Sequence, residues 1–266
     1  MRIVLSLCLI VACASLSSAE NWPNWRGPSY TGVASGKNYP TEWSATNNVA
    51  WKVELPGKGA STPVLLDDNG QETLVVLGAD HVTAHDAANG KELWRVGGLN
   101  PTGHQYFRSI ASAVVHNGIV VAPYARKETI TAIKLGGSGD VTGSHVAWVK
   151  KGNGPDVPTP AAANGRVYVL NDGGIVTCLD IATGKEIWSG QLEKNRHAYS
   201  SSPILADGKI YLTREDGKTF VLVQGNEFKV LAGNDLDGTQ TVATPVFTDG
   251  RILLRTETHL YCIGAN

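Results

Sequence analysis

The sequence has little cysteine, methionine and phenylalanine and almost no net charge. Its 266 residues include four cysteines, one methionine and four phenylalanines, and its formal net charge is −1. No cluster of lysine or arginine stands out, which argues against charge-driven binding to nucleic acid or acidic lipid. The motifs of zinc proteases, serine hydrolases and phosphate-binding loops are also missing. The sequence therefore contains none of these catalytic motifs.

The longest apolar run lies at the amino end, from residue 3 to residue 14, and is too short to span a bilayer. Arg2 precedes this run and small residues follow it up to Ala19, which predicts a secretory signal peptide over residues 1–19. A second cleavage site stays open, because residues 10–13 resemble a lipobox and would leave a lipidated Cys13. We expect an exported protein, periplasmic or secreted, that meets a membrane only if Cys13 is lipidated.

Residues 20–48 do not repeat and are rich in proline, glycine and tryptophan. We predict an N-terminal strap whose tryptophans pack on the outside of the following domain. From residue 49 to residue 266 the chain is repetitive. Each repeat opens with a small-residue anchor, and successive anchors are 42 to 50 residues apart. The middle residues of the five anchors are Thr62, Ser112, Thr159, Ser202 and Thr244.

An Asn-Gly or Asp-Gly pair follows every anchor, as at Asn117-Gly118 and Asp207-Gly208. Such pairs favour two-residue hairpins, and the short runs after them are rich in β-branched residues. The mature chain shows no long helical periodicity. A repeat of this length with hairpin signals predicts a four-stranded antiparallel blade of a β-propeller.

A bulky aromatic residue marks the outer strand of each predicted blade: Trp94, Trp148, Trp188 and Phe228. A further copy, Trp51, comes before the first anchor, whereas the last repeat ends after three strands. We therefore predict an all-β propeller of five blades. Its ring would be closed by an N-terminal strand at residues 49–53 pairing with the strand that holds Tyr261.

Two repeats share the pattern Ala/Cys-x-Asp-x-x-Asn/Thr-Gly-x-x-x-Trp, with Asp86, Gly90 and Trp94 in one and Asp180, Gly184 and Trp188 in the other. This pattern resembles the pyrroloquinoline quinone (PQQ) repeat of quinoprotein dehydrogenases and of the non-catalytic lipoprotein of the barrel-assembly machinery. The segment from Trp22 to Pro28 is similar to exported bacterial PQQ-like proteins. The resemblance implies that the Asp fixes a turn and the Trp wedges between blades. Rings of this family usually have roughly seven or eight blades.

The resemblance also raises the question of a cofactor. In quinoprotein dehydrogenases the quinone stacks on a disulfide between adjacent cysteines, and this sequence has no Cys-Cys pair and no haem-attachment motif. We therefore expect no cofactor and no metal, with PQQ disfavoured. Cys178 and Cys262 fall in the same slot of the repeat, and we expect both to be small buried residues.

The residues just before the anchors are expected to ring one mouth of the propeller channel. The candidates for a ligand or partner site on this rim are Lys58, Arg108, Asp156, His197, Tyr199 and Gln240. The alternative is that these side chains merely solvate the rim. We predict a non-catalytic exported propeller that binds a protein or extracellular ligand at this mouth. A PQQ-dependent oxidoreductase is the alternative function, and the sequence does not identify the partner.

Overall fold

We describe the protein from a computed structural model. The structure describes residues 40–42, 44, 46–55, 61–78, 80–103, 110–124, 128–236, 238–248 and 250–264. The expected signal peptide, Cys13, most of the strap, Lys58 and Arg108 lie outside these residues.

The strands of the described residues form five sheets, and the strands within each blade pair antiparallel with their neighbours. Blade one contains β1 (Val64–Asp68), β2 (Gln71–Leu77), β3 (Val82–Asp86) and β4 (Glu92–Val96). Blade two contains β5 (Val114–His116), β6 (Ile119–Tyr124), β7 (Thr129–Lys134) and β9 (Val146–Lys151), with β8 (Gly139–Asp140) and α1 (Thr142–His145) before β9. Blade three contains β10 (Ala161–Ala163), β11 (Arg166–Leu170), β12 (Ile175–Asp180) and β13 (Glu186–Gln191).

Blade four contains β14 (Ile204–Ala206), β15 (Lys209–Thr213), β16 (Thr219–Val223) and β17 (Val230–Asn234). Blade five contains β18 (Val246–Thr248), β19 (Arg251–Arg255) and β20 (Leu260–Ile263). The propeller fold and its antiparallel blades are thus as the sequence predicted. Within the described residues, no helix is long and apolar enough to cross a membrane.

The turns that join the first two strands of each blade depend on a positive backbone φ. Asn69, Asn117, Asn164 and Asp207 have φ between 48° and 55°. Asparagine and aspartate tolerate this left-handed region better than other residues with a side chain. These residues therefore fix the two-residue hairpins, and with them the register of the inner strands.

The anchors are joined to one another by hydrogen bonds that run from blade to blade. The backbone N–H of Thr62 donates to Ser112 Oγ at 3.1 Å, and the N–H of Ser112 donates to Thr159 Oγ1 at 3.0 Å. Thr159 N–H donates to Ser202 Oγ at 3.0 Å, and Ser202 N–H to Thr244 Oγ1 at 3.1 Å. Each middle anchor residue thus ties the start of one inner strand to the next blade.

The blades pack face to face through a repeated row of side chains. In each blade, one residue from each strand lies opposite its neighbours across the sheet and faces the next blade. We call these residues the forward row of the blade. The forward rows are Val64–Val75–Ala84–Trp94, Val114–Val121–Ala132–Trp148, Ala161–Tyr168–Cys178–Trp188 and Ile204–Tyr211–Val221–Ala232. In the first three blades most of these residues belong to a buried cluster shared with the next blade. The hydrophobic core is therefore distributed between blades.

The tryptophan at the end of a forward row sits on the outer turn of the next blade. Trp148 Nε1 donates to Ile181 O at 2.9 Å, and Trp188 Nε1 donates to Gly225 O at 2.9 Å. A Cβ added to Gly184 would lie only 2.5 Å from Cδ2 of the Trp148 indole, which is too close. Gly184 also has a φ of +69°. Only glycine meets both conditions at this turn.

Asp180 shapes the same turn, because its Oδ1 accepts hydrogen bonds from the backbone N–H and the hydroxyl of Thr183. These bonds hold the pKa of Asp180 below its usual value. Asp86 acts alike in blade one, where its Oδ1 accepts from Ala88 N–H at 2.8 Å.

The outer turn of blade two forms an addition that the sequence did not predict. β8 leaves blade two and pairs in parallel with β4 of blade one, Trp94 with Gly139 and Arg95 with Asp140. Blade one therefore has five strands. The bond from Gly97 N–H to Thr142 Oγ1, at 2.9 Å, extends the contact between the two blades.

The predicted closing strand is wrong. Residues 49–53 are described and form no strand, and β20 pairs with β19 alone among the described residues. Trp51 instead sits on blade one, where its Nε1 donates to Ala87 O at 3.1 Å and its ring contacts Gly90. Trp51 therefore fills the place of a preceding blade's tryptophan, but its backbone does not complete blade five.

Two further predictions about the repeat are corrected. Phe228 is not the outer-strand counterpart of the tryptophans, because Ala232 is the residue opposite Val221 in that register. Phe228 lies before β17 and packs back on Trp188, with ring centroids 5.8 Å apart. Cys262 does occupy the same slot as Cys178, but Cys178 is buried and Cys262 is exposed. Among the described strands, β20 pairs with β19 alone, which leaves Cys262 at the edge of its sheet.

Candidate functional site

One end of the propeller is formed by the connections between blades and the turns joining the second and third strands. We call this end the mouth. Backbone hydrogen bonds connect its segments. Tyr199 N–H donates to Asp172 O, and Glu215 N–H donates to Ala198 O at 2.9 Å. Glu215 O in turn accepts from Thr241 N–H at 2.8 Å. Each connection is thus bonded to the turns beside it, which holds the mouth as one surface.

The 192–200 loop, the connection between blades three and four, is anchored by an arginine. Arg214 is 2% exposed and its Nη1 donates to Glu193 O at 3.1 Å. Its Nε and Nη2 donate to the two carboxylate oxygens of Asp216, each at 2.9 Å. The guanidinium carbon also lies 5.5 Å from the ring centre of Phe220. A paired arginine of this kind fixes the position of the loop's base.

Carboxylates around Arg214 are held ionised by their partners. The bond from Arg214 holds the pKa of Asp216 below its usual value, against the opposing effect of burial. Lys218 donates to Glu193 Oε2 at 2.9 Å and lowers the pKa of that carboxyl too. Lys218 also lies 3.5 Å from Asp235 Oδ2. The loop, the turn of blade four and the next connection are therefore linked through charge.

Tyr199 was expected on the rim but is buried, with 2% exposure. Burial raises its pKa to about 12, although the nearby Arg214 acts in the opposite direction. Its hydroxyl has no hydrogen-bond partner among the described residues. The ring packs over Gly174, where a Cβ would stand 2.8 Å from Tyr199 Cε2. Tyr199 thus fastens the end of the loop and does not present its side chain to a ligand.

The tip of the 192–200 loop faces solvent. Lys194, Asn195 and Arg196 are exposed, and His197 is half-buried. Asn195 Oδ1 accepts from His197 N–H at 3.1 Å, which shapes the tip, and Arg196 Nε donates to His197 Nε2 at 3.2 Å. Neither Lys194 nor Arg196 has an ion-pair partner in the described part of the chain. The loop therefore displays two unpaired cationic side chains on a fixed base.

The other predicted rim residues are placed differently. Asp156 is buried, and its N–H donates to Asp172 Oδ1 at 3.1 Å while its carbonyl accepts from Ala111. It joins two connections and is not a surface contact. Gln240 is exposed, and its carbonyl accepts from Glu257 N–H at 2.7 Å. His197 and Gln240 are thus the described rim candidates whose side chains reach solvent.

Sequence reasoning missed the residues that fix the mouth. Arg214, Asp216 and Lys218 were not singled out, nor was Glu215, whose Oε1 accepts from Ser200 Oγ at 2.6 Å. The sequence held one signal for the ion pair of Arg214 and Asp216, because an arginine two residues before an aspartate at the end of a β-strand is well placed to form an ion pair with it. The burial of Arg214, however, depends on the connection that folds over it.

In the described ranges, no group of three or more His, Cys, Asp or Glu residues could share a metal ion. Burial raises the pKa of Cys178 to about 11, so this residue is a neutral thiol near pH 7. The mouth presents charged side chains on connections that are bonded to one another.

The fold defines a β-propeller of PQQ-like repeats. The profile of the family described as outer membrane protein assembly factor BamB matches residues 28–145 and 126–241. Together these matches extend over most of the sequence, so the chain belongs to this family.

Known relatives agree with this assignment. A curated relative, outer membrane protein assembly factor BamB of Moranella endobia (strain PCIT), is 36% identical over 107 residues, covering 36% of this chain and 26% of the relative. The crystal structure of BamB from Moraxella catarrhalis is similar with a TM-score of 0.59 and 14% identity, over 81% of this chain and 61% of that protein.

The quinohemoprotein alcohol dehydrogenase ADHIIG from Pseudomonas putida HK5 has a TM-score of 0.58 and 15% identity, over 81% of this chain and 42% of that protein. At such identity the two solved structures show a shared fold alone. The chain spans less than two thirds of the length of each of these three proteins.

Proposed function

We propose that this chain is a non-catalytic exported propeller that binds a partner protein through its mouth, as a factor in outer membrane protein assembly. The observation that carries the proposal is the 192–200 loop, whose base is clamped by Arg214 and whose tip displays Lys194 and Arg196, neither with an ion-pair partner among the described residues. A surface fixed before binding loses little conformational entropy on association. Membership of the assembly-factor family supports a protein as the ligand.

The charge of the loop tip defines the complementary surface. Unpaired lysine and arginine side chains attract carboxylates, and such attraction between exposed charges weakens as salt is added. The partner surface that meets Lys194 and Arg196 therefore carries acidic residues. We expect His197 and Gln240 to contact the same partner, since both side chains reach solvent at the mouth.

The proposal is tested by capture of envelope proteins on the immobilised chain. Replacing Lys194, Arg196 and His197 together by alanine should reduce the captured partner by about tenfold or more, because a few residues near the centre of a contact contribute most of the binding energy. Replacing Lys134 and Lys185, exposed residues at the opposite end of the propeller, is the matched control. Equal capture of the partner by both variants would show that the partner does not bind at the mouth.

Location and processing form part of the same proposal. The leader at residues 1–19, or a lipid on Cys13, would deliver the propeller of residues 49–266 and its strap of residues 20–48 to the periplasm or beyond. Mass spectrometry of the exported protein distinguishes the two, since only cleavage before Cys13 leaves a lipidated amino end.

The alternative, a PQQ-dependent oxidoreductase, is supported by resemblance of fold alone. Its test is addition of PQQ and Ca²⁺: a raised melting temperature together with dye-linked oxidation of alcohols or sugars would favour it over the binding role.

A further inference from the structure

The tip of the 192–200 loop contains a hydrogen bond that exists in only one charge state of a histidine. Arg196 Nε donates to His197 Nε2 at 3.2 Å. A guanidinium group has donors only, so the ring nitrogen that receives this bond carries no proton and the imidazole is neutral. The His197 backbone is held separately, because its N–H donates to Asn195 Oδ1 at 3.1 Å. The shape of the tip backbone therefore does not depend on the charge of the ring.

A proton on Nε2 of His197 removes the acceptor of this bond and places two cations side by side. Histidine is the side chain that ordinarily changes its charge between pH 5 and pH 8. In the charged form the bond from Arg196 is lost, and the two side chains repel each other. Lys194 and Arg196 are exposed at the same tip. Protonation of His197 therefore raises the number of cationic side chains on the tip from two to three.

The surroundings of His197 leave this added charge available to a partner. The nearby carboxylate is Asp216, whose pKa is lowered mainly by the hydrogen bond from Arg214 and to a smaller extent by the charge of His197. Both carboxylate oxygens of Asp216 already accept from Arg214. In the described part of the chain, no carboxylate lies within ion-pair distance of His197. The other charged groups of the loop and of the segments packed on it are Glu193, Lys194, Glu215, Lys218, Asp156 and Asp172.

We propose that His197 regulates the mouth by pH, so that the loop tip binds an acidic segment of its partner more tightly in the protonated state. This inference rests on the proposed function, because it takes the mouth to be the binding end. A partner that prefers the charged form takes up a proton on binding, so its affinity rises as the pH falls. The rise ends near about pH 4, where the carboxylates of the partner are themselves protonated.

The probe is a rhodamine-labelled oligo-aspartate peptide, whose binding to the full chain is followed by fluorescence anisotropy at low salt. For the wild type we expect a Kd at least about threefold lower at about pH 5.5 than at about pH 8, since one more charge faces the peptide. His197→Gln keeps an uncharged acceptor for Arg196 and should bind equally at both pH values. His197→Lys, which is charged at both, should bind at either pH as tightly as the wild type does at the lower one.

The matched control is His145→Gln, because His145 lies in α1 on the outer turn of blade two, away from the mouth. This variant should keep the pH response of the wild type. Equal wild-type binding at the two pH values, or a pH response that His197→Gln retains, would overturn the inference. Peptide binding that is unchanged when Lys194 and Arg196 are both replaced by alanine would contradict the proposed function as well. Binding that needs these two residues but ignores pH would overturn the regulation alone.

Discussion

Arg214 is the residue on which the mouth most depends. Its guanidinium lies almost entirely out of solvent, bonded to both oxygens of Asp216 and to the carbonyl of Glu193. A buried cation is tolerated only with such partners, because the cost of leaving water must be offset. The sequence shows both charges but not the loop that buries them, so the burial of the pair could not be predicted.

Asp216→Asn should destabilise the protein by about 3 kcal/mol near pH 7, since it leaves Arg214 buried without its anion. The folded-state pKa of Asp216 lies below its ordinary value. Its stabilising contribution is therefore present above about pH 4 and is lost as the pH falls through the lowered pKa. The difference in Tm between wild type and variant should shrink below about pH 4.

Thermal unfolding measured between about pH 3 and pH 7 checks this dependence. Asp207→Asn is the control, because Asp207 pairs with Lys209 at an exposed turn and should change the Tm little at any pH. A Tm difference for Asp216→Asn that stays constant over this range would contradict the account.

Cys178 and Cys262 show that position in the repeat predicts register but not exposure to solvent. Their shared slot follows from the repeat, and Cys178 opposite Trp188 and Cys262 opposite Leu253 occupy equivalent places in register. Their opposite exposure depends on whether a fourth strand and a next blade cover them. That information is held by the neighbouring elements and not by the cysteine.

At the scale of elements, the tryptophans are the principal contacts between blades. Trp188 ends the forward row of blade three, lies 6.1 Å from the ring centre of Tyr168 and donates to Gly225 O in blade four. The sequence predicted three of these tryptophans from spacing. It failed at blade four, because Phe228 is aromatic and near the expected place, whereas pairing puts Ala232 opposite Val221.

Trp188→Ala should cost about 3 to 5 kcal/mol in the free energy of unfolding, because it removes a large side chain from between two blades. Trp188→Phe should cost less, since it keeps an aromatic ring and loses the hydrogen bond to Gly225 O. Urea unfolding gives both values. Leu231→Ala, at an exposed position of β17, should change the stability by no more than about 0.5 kcal/mol. A Trp188→Ala cost no larger than that of Leu231→Ala would show that the indole does not hold the blades together.

At the scale of the whole molecule, the repeat predicted five sheets but not how they end. The hydroxyl bonds between anchors run from Thr62 to Thr244, and no described bond carries the series from blade five back to blade one. The prediction of closure by residues 49–53 is wrong because a matching side chain does not ensure a matching backbone: Trp51 reaches blade one, whereas residues 49–53 form no strand. The spacing of the anchors predicts the number of repeats. Closure of the ring depends instead on the angle between successive blades, added up over all blades.

The claim that the mouth is the partner-binding end is tested most directly by site-specific photo-crosslinking in the native envelope. A photoreactive residue at Lys194 or Gln240 should yield protein adducts, and one at Lys185, at the opposite end, should yield few. Adducts from Lys185 with none from Lys194 or Gln240 would contradict the assignment.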